Sequence, residues 1–249
     1  MIFFSVLYNP DENAIKNIIL ANNAGLKSVV YLNQVNDQYL NRLPDLDVVM
    51  LGDNKNVGLG LAFYELEEYL AKTGDEHYVY FDQDTITTEE TWELILRTYT
   101  EVNARENAGL IFYGKNVSER SDLVVSSGCL FSMAVIRKIG RHDKDYFVEG
   151  VDYEFCLRLK INGLFIYNIF TNSIDHFALQ DGKSLKFAGF QMPIRVYGFS
   201  RTKDFNISHF KLLRDSLKNK QYYMFYRFLK SSVIFNVREY FSRFITRFL

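Results

Sequence analysis

Little in this chain could staple it, anchor it or break it into pieces. Only two cysteines, Cys129 and Cys156, occur in 249 residues. Neither has a second Cys or a His at zinc-ligand spacing, which excludes a zinc knuckle. Two isolated thiols predict a reducing compartment, with both side chains in the core. Three prolines leave no room for a Pro-rich linker. No segment approaches about 18 uninterrupted apolar residues, so the sequence predicts no membrane span. The opening MIFFSVLYNPDENAI has no basic segment, and its apolar run is too short for a secretory signal. Internal repeats and low-complexity tracts are also missing. A cytoplasmic, fully folded protein is expected.

Hydrophobic residues make up 48% of the chain, enough for a sizeable core. The length suits one enlarged α/β domain over residues 1–205 with an extension over 206–249. The net charge of −1 hides a split. Residues 211–249 hold nine basic and two acidic side chains, so a +7 tail follows a −8 body. A basic, aromatic tail on an acidic body predicts an anionic partner for the tail.

Apolar runs at 2–8, 28–32, 47–51 and 77–81 read as buried strands, and periodic segments at 11–24, 59–72 and 88–102 read as helices. Thr87 or Thr88 would cap the third helix. This alternation predicts a mainly parallel sheet flanked by helices, with ligands beyond the carboxyl ends of its strands. Further along, strands are expected at 108–113, 123–125 and 164–169. A small-residue turn is expected at 126–129, a short helix at 134–139, and an amphipathic helix at 151–161.

The polar residues of interest sit in the loops after the strands. Asp82-Gln83-Asp84 follows the buried strand ending at Phe81, so two carboxylates at the binding edge could reach one hard cation. The plain alternative is an acidic turn favoured by the next helix N-terminus. In Gly150-Val151-Asp152-Tyr153-Glu154, Asp152 could cap a helix and also act as a base at a pocket edge. Glu154 and Arg158 are placed for an i,i+4 ion pair. His176 would suit as a third ligand to a two-Asp metal site.

Taken in order, these segments resemble the family 2 glycosyltransferases of the GT-A fold. They are Tyr8-Asn9-Pro10, Asn54-x-Asn56-x-Gly58, Asp82-Gln83-Asp84-Thr85, Ser127-Gly128, Phe147-x-x-x-x-Asp152-x-Glu154-x-Cys156-x-Arg158, and His176. The nearest branch is the rhamnosyltransferase-like and galactofuranosyltransferase-like one, and the resemblance covers roughly residues 1–200. It implies a GT-A nucleotide-diphospho-sugar transferase fold and a metal-dependent transferase. The sugar (rhamnose, galactofuranose or a hexose) would pass from a nucleotide-sugar donor to a hydroxyl of a surface polysaccharide or lipid-linked glycan. It implies Mn²⁺ or Mg²⁺ at Asp82, Asp84 and His176, with inversion at the anomeric carbon. Asp152 would be the base. Tyr8, Asn9, Asn33, Asn54, Asn56, Gly58, Asp82 and Gln83 would surround the donor. Ser127, Gly128 and Glu154 would lie toward the acceptor. Asn33 stands where the family often carries Asp.

Two other classes share parts of this pattern. A nucleotidyltransferase would carry a Gly-rich phosphate loop with a basic residue where this chain has Leu7-Tyr8-Asn9-Pro10. A non-catalytic scaffold of the same fold would not need Asp82, Asp84, Asp152 and His176 together. Within residues 221–249, Tyr222, Phe225, Tyr226 and Leu229, then Phe241, Phe244, Ile245 and Phe248, recur at helical spacing among basic residues. One or two amphipathic helices at the inner face of the plasma membrane are expected, with docking on the catalytic domain or a homodimer as alternatives. Nucleic acid is not an expected partner.

Overall fold

The computed structural model describes residues 1–115, 118–176, 183–187, 190–194 and 197–247, with 176, 183–187, 190–194 and 245–247 described by backbone alone. The chain forms two compact units, Met1–His176 and Phe177–Leu249.

The first unit runs β1 (Ile2–Leu7), α1 (Glu12–Asn23), β2 (Lys27–Leu32), α2 (Asp37–Leu40), β3 (Val48–Leu51), α3 (Leu59–Thr73) and β4 (His77–Tyr80). It continues with β5 (Thr85–Ile86), α4 (Glu89–Asn103), β6 (Ala108–Gly114), β7 (Arg120–Ser121) and β8 (Cys129–Ser132). Last come α5 (Met133–Ile139), α6 (Val151–Ile161), β9 (Phe165–Phe170) and β10 (Asp175–His176). Eight strands form one sheet in the order β3-β2-β1-β4-β8-β6-β9-β7. Strands β3, β2, β1 and β4 pair in parallel, β8 runs against both β4 and β6, and β7 runs against β9. The expected mainly parallel α/β sheet is therefore present.

Strand alternation sorts the core. Phe3, Leu7, Val79 and Phe81 join Ile15, Ile18, Trp92 and Ile95 of α1 and α4 in one cluster. Trp92 meets Phe3 and Phe81 edge-on, at centroid distances of 5.1 and 5.4 Å. The alternate residues Phe4, Tyr78 and Tyr80 pack on Phe63 of α3. Phe131 of β8 and Phe155 of α6 extend this second cluster. Both cysteines are buried there, and burial pushes the Cys156 thiol up to about 12. Local signals place the helix ends. Asp11 caps α1 by accepting from the Asn13 amide, and Thr88 caps α4 in a reciprocal capping box with Thr91.

The structure departs from expectation in three places here. Residues 123–125 form no strand; the paired residues are Arg120–Ser121, and Cys129–Ser132 forms the antiparallel β8 instead. Helix α6 lacks a single apolar face, because Leu157 is buried across from the side that carries Val151, Phe155, Cys156 and Leu159. Its basic side chains bond to neighbouring protein groups: Arg158 to Glu154 and the Ile139 and Gly140 carbonyls, Lys160 to Asp122. Asp152 does not cap α6 either; Gly150 is the N-cap, in the left-handed conformation at φ 83°.

The second unit comprises a hairpin, β11 (Lys183–Phe187) with β12 (Phe190–Ile194), and two helices, α7 (Phe199–Lys218) and α8 (Tyr222–Arg247). The expected boundary at 205/206 falls inside α7. Phe248 of the expected tail stripe lies outside the described residues.

Candidate active site

The carboxyl ends of β1 and β4 lie side by side, with Phe4 opposite Tyr80. This puts the loop after Leu7 beside Asp82-Gln83-Asp84. Gln83 joins them: its Oε1 accepts from the Tyr8 amide at 2.7 Å and its Nε2 donates to the Tyr8 carbonyl at 2.6 Å. Asn9 takes a positive φ of 44° and donates its amide to the Gln34 carbonyl. The loops after β2 and β3 are joined in the same way. The Asn33 side chain accepts from the Val57 amide at 2.7 Å. Asn54, at φ 56°, grips both backbone groups of Val35, at 2.6 and 3.0 Å. Asn56 accepts from the Gly58 amide at 3.3 Å. Gly58 sits at φ 83° directly against the Phe147 backbone, where a Cβ would collide. The structure thus brings the expected donor-side residues together, and spends most of their amide groups on holding loop backbone.

Ser127 and Gly128 hold the other side of the same loop. Ser127 Oγ accepts from the Asp82 amide at 3.0 Å and shares a hydrogen with Thr85 Oγ1 at 2.7 Å. The Gly128 amide donates to the Tyr80 carbonyl. Tyr80 then donates its hydroxyl to Asp82 Oδ1 at 2.5 Å, so Asp82 is fixed from backbone and side chain together.

The neighbouring Ser126 donates its hydroxyl to Asp152. Two adjacent serines therefore connect the Asp82 loop to Asp152. The Asp152 carboxyl lies among Val124, Val125, Phe131, Phe155 and Cys156. Although the residue is partly exposed, its carboxyl pKa is raised to about 6, first by burial and then by the negative charge of Asp82. The Ser126 hydrogen bond and the nearby His142 imidazole act the other way. His142 is itself buried. Its ring is stacked between Phe63 and Phe155, and its Nδ1 lies 2.5 Å from Glu67, which also accepts from Tyr78.

Glu154 is not turned toward Asp152's hydroxyl partner but is paired twice with Arg158, at 2.6 and 2.9 Å, the ion pair that the i,i+4 spacing predicts. His176 pairs through its backbone with Thr85, one residue from Asp84; its side chain lies outside the described residues. Among the described residues, no three His, Cys, Asp or Glu side chains gather to hold a metal ion.

The sequence assigns no site role to Tyr80, Ser126 or the Glu67–His142 pair, and shows Thr85 only as the end of the Asp82 motif. Tyr80 sits in an apolar strand and passes for core, whereas Glu67 stands in the charged run Glu65-Leu66-Glu67-Glu68 and passes for a solvated helix face. Ser126 adjoins the expected Ser127-Gly128 pair, and only the antiparallel path of β8 brings it to Asp152.

No family model matches the chain. The dTDP-rhamnosyl transferase RfbF of Shigella flexneri is 26% identical over 216 residues, covering 76% of this chain and 72% of RfbF. Solved structures of S. aureus TarS match as well. TarS itself gives a TM-score of 0.50 at 14% identity, over 70% of this chain and 35% of TarS. TarS 1–349 with UDP-GlcNAc gives 0.52 at 12% identity, over 92% and 71%. GalNAc-T7 with UDP, GalNAc and Mn²⁺ gives 0.53 at 10% identity, over 86% of this chain and 50% of GalNAc-T7. The chain thus spans about a third of the TarS chain and half of the GalNAc-T7 chain. At these identities the structural likeness is one of fold, and that fold is GT-A. In sequence the chain is thus similar to a dTDP-rhamnosyl transferase, and in fold it is similar to GT-A glycosyltransferases, as its motifs lead one to expect.

Proposed function

We propose that this protein transfers a sugar from a nucleotide-sugar donor to a hydroxyl of a surface polysaccharide or lipid-linked glycan, inverting the anomeric carbon. The observation that carries this reading is the Asp152 carboxyl, raised to about 6 and joined through Ser126 and Ser127 to the Asp82 loop. A base with a pKa just below neutrality is mostly ionised at pH 7 and still basic enough to accept a hydroxyl proton. The reaction needs that proton removed as the donor's diphosphate departs.

Asp82 and Asp84 lie where a diphosphate would end, beyond the carboxyl end of β4. Mg²⁺ and Mn²⁺ sites at phosphates commonly use one or two carboxylates, the phosphate oxygens and water. A pair of Asp side chains therefore fits such an ion, with His176 as the candidate third ligand. Bound there, the ion would offset negative charge on the leaving diphosphate. Tyr80 keeps its proton, because burial holds its pKa well above the usual range, and by donating to Asp82 it orients that carboxylate. The amide-tied loops around Asn33, Asn54, Asn56 and Gln83 form a rigid rim for the nucleoside and sugar.

The sugar named for RfbF makes dTDP-rhamnose the first donor to test. Thermal unfolding should be followed with UDP, dTDP, GDP and CDP, each with and without Mn²⁺, on the wild type and Asp84→Ala. A nucleotide at 100 times its Kd adds about 2.7 kcal/mol of stability. A Mn²⁺-dependent shift with one nucleotide, lost in the variant, supports the reading. No shift with any nucleotide contradicts it.

A further inference from the structure

We infer that the outer face of α8 docks on an anionic lipid surface. The inner face of α8 is already occupied. Met224 and Phe228 are buried, Phe235 stacks on Phe205 of α7, and Asn236 donates to Asn206 of α7. What faces outward is apolar: Tyr222, Tyr226, Val233, Val237, Tyr240 and Phe244 are all exposed, Tyr240 at 81% and Val237 at 64%. Their spacings of 4, 7, 4, 3 and 4 residues place them in one narrow arc of the helix. The stripe is about 33 Å long at 1.5 Å per residue. It shares Tyr222, Tyr226 and Phe244 with the stripe the sequence suggested, and adds Val233, Val237 and Tyr240.

Charge selects the occupant. Arg227, Lys230 and Arg238 are exposed at the border of the stripe. The single acid of α8, Glu239, is buried, where it pairs with Arg243 at 2.8 Å and accepts from the Tyr197 amide. A second copy stacked on this face would set basic residues against basic residues, with no exposed acid of α8 to answer them. Anionic headgroups offer the opposite sign. Tyrosines with an apolar ring and a polar tip suit the headgroup boundary. Among the described residues no helix is long and apolar enough to cross a membrane, so the contact is one of surface.

The inference stands apart from the transferase reading, since lipid binding needs no substrate. The full chain should be sedimented with vesicles of phosphatidylcholine alone and of phosphatidylcholine and phosphatidylglycerol in equal parts. Binding to the mixed vesicles, weakened by salt and at least several-fold poorer on the neutral ones, is expected. Replacing Arg227, Lys230 and Arg238 together by Glu should cut that binding by about a hundredfold or more, at roughly 1 kcal/mol per basic residue. Val237→Ser with Tyr240→Ser should weaken it with helix content unchanged by circular dichroism. No binding of the wild type to mixed vesicles overturns the inference, as does equal binding by the Glu variant. Sedimentation as a dimer that Val237→Ser with Tyr240→Ser dissociates, without vesicle binding, assigns the face to a second copy and also overturns it.

Discussion

The two sides of the candidate site hold their carboxylates in opposite surroundings. On the donor side, Asp82 and Asp84 are partly exposed and stand in a rim of neutral amides that bond to loop backbone. On the other side, Asp152 lines a small pocket with Phe131, Phe155, Val124 and Val125, and its carboxyl is desolvated. A cation and a diphosphate need carboxylates that stay charged, whereas a proton acceptor works best with its pKa near the working pH. On the proposed reading, one fold edge would serve both needs, its two carboxylate sites linked by two adjacent serines. Desolvation raises the energy of the charged form, so the ionised Asp152 carboxyl costs the fold stability.

Substitutions that exchange these properties should break the comparison. The largest effect is expected for Asp152→Asn, which keeps an acceptor for Ser126 but removes the base. Transfer should fall by about 10²–10⁴-fold, while the nucleotide-dependent thermal shift is retained. Equal loss of both would mean that Asp152 serves binding rather than proton transfer.

The same substitution should stabilise the fold at neutral pH. The folded-state pKa is about 6 against an ordinary 3.8, so the folded state binds the Asp152 proton more tightly than the unfolded chain. The penalty is absent below pH 4, grows between 4 and 6, and is complete above that. Asp152→Asn should therefore gain up to about 3 kcal/mol at pH 8, at about 1.4 kcal/mol per pKa step, and gain nothing at pH 3.5. Urea unfolding at the two pH values measures the difference.

Smaller effects separate scaffold from site. Ser127→Ala removes the acceptor of the Asp82 amide and should cost about 1–3 kcal/mol of stability together with weakened nucleotide binding. Asn54→Ala frees both backbone groups of Val35 and should cost about 1–2 kcal/mol. A loss of nucleotide affinity in Asn54→Ala beyond that of Ser127→Ala would show direct donor contact by the Asn54 amide.

The sequence made the donor side legible because its signals are local. An apolar run of alternating residues that stops at Asp82 fixes both the strand and the edge where the carboxylates emerge. The base side was harder to read. Asp152 and Arg158 could be placed on one helix, but Leu157 of α6 is buried across from Phe155 and Leu159, so its pattern marked no single face. Ser126 reaches Asp152 only because β8 runs antiparallel between β4 and β6, a pairing that residues 123–132 do not announce. In the second unit the basic helical composition was plain, but the exposed arc of α8 depends on which residues α7 covers.

The most direct test of the account is the titration of the Asp152 carboxyl carbon by NMR, in the wild type and in Asp82→Asn. The account predicts a midpoint near 6 in the wild type, and a lower midpoint once the Asp82 charge is gone. A midpoint in the ordinary carboxylate range, or one that Asp82→Asn leaves unmoved, would contradict the coupling of the two sides.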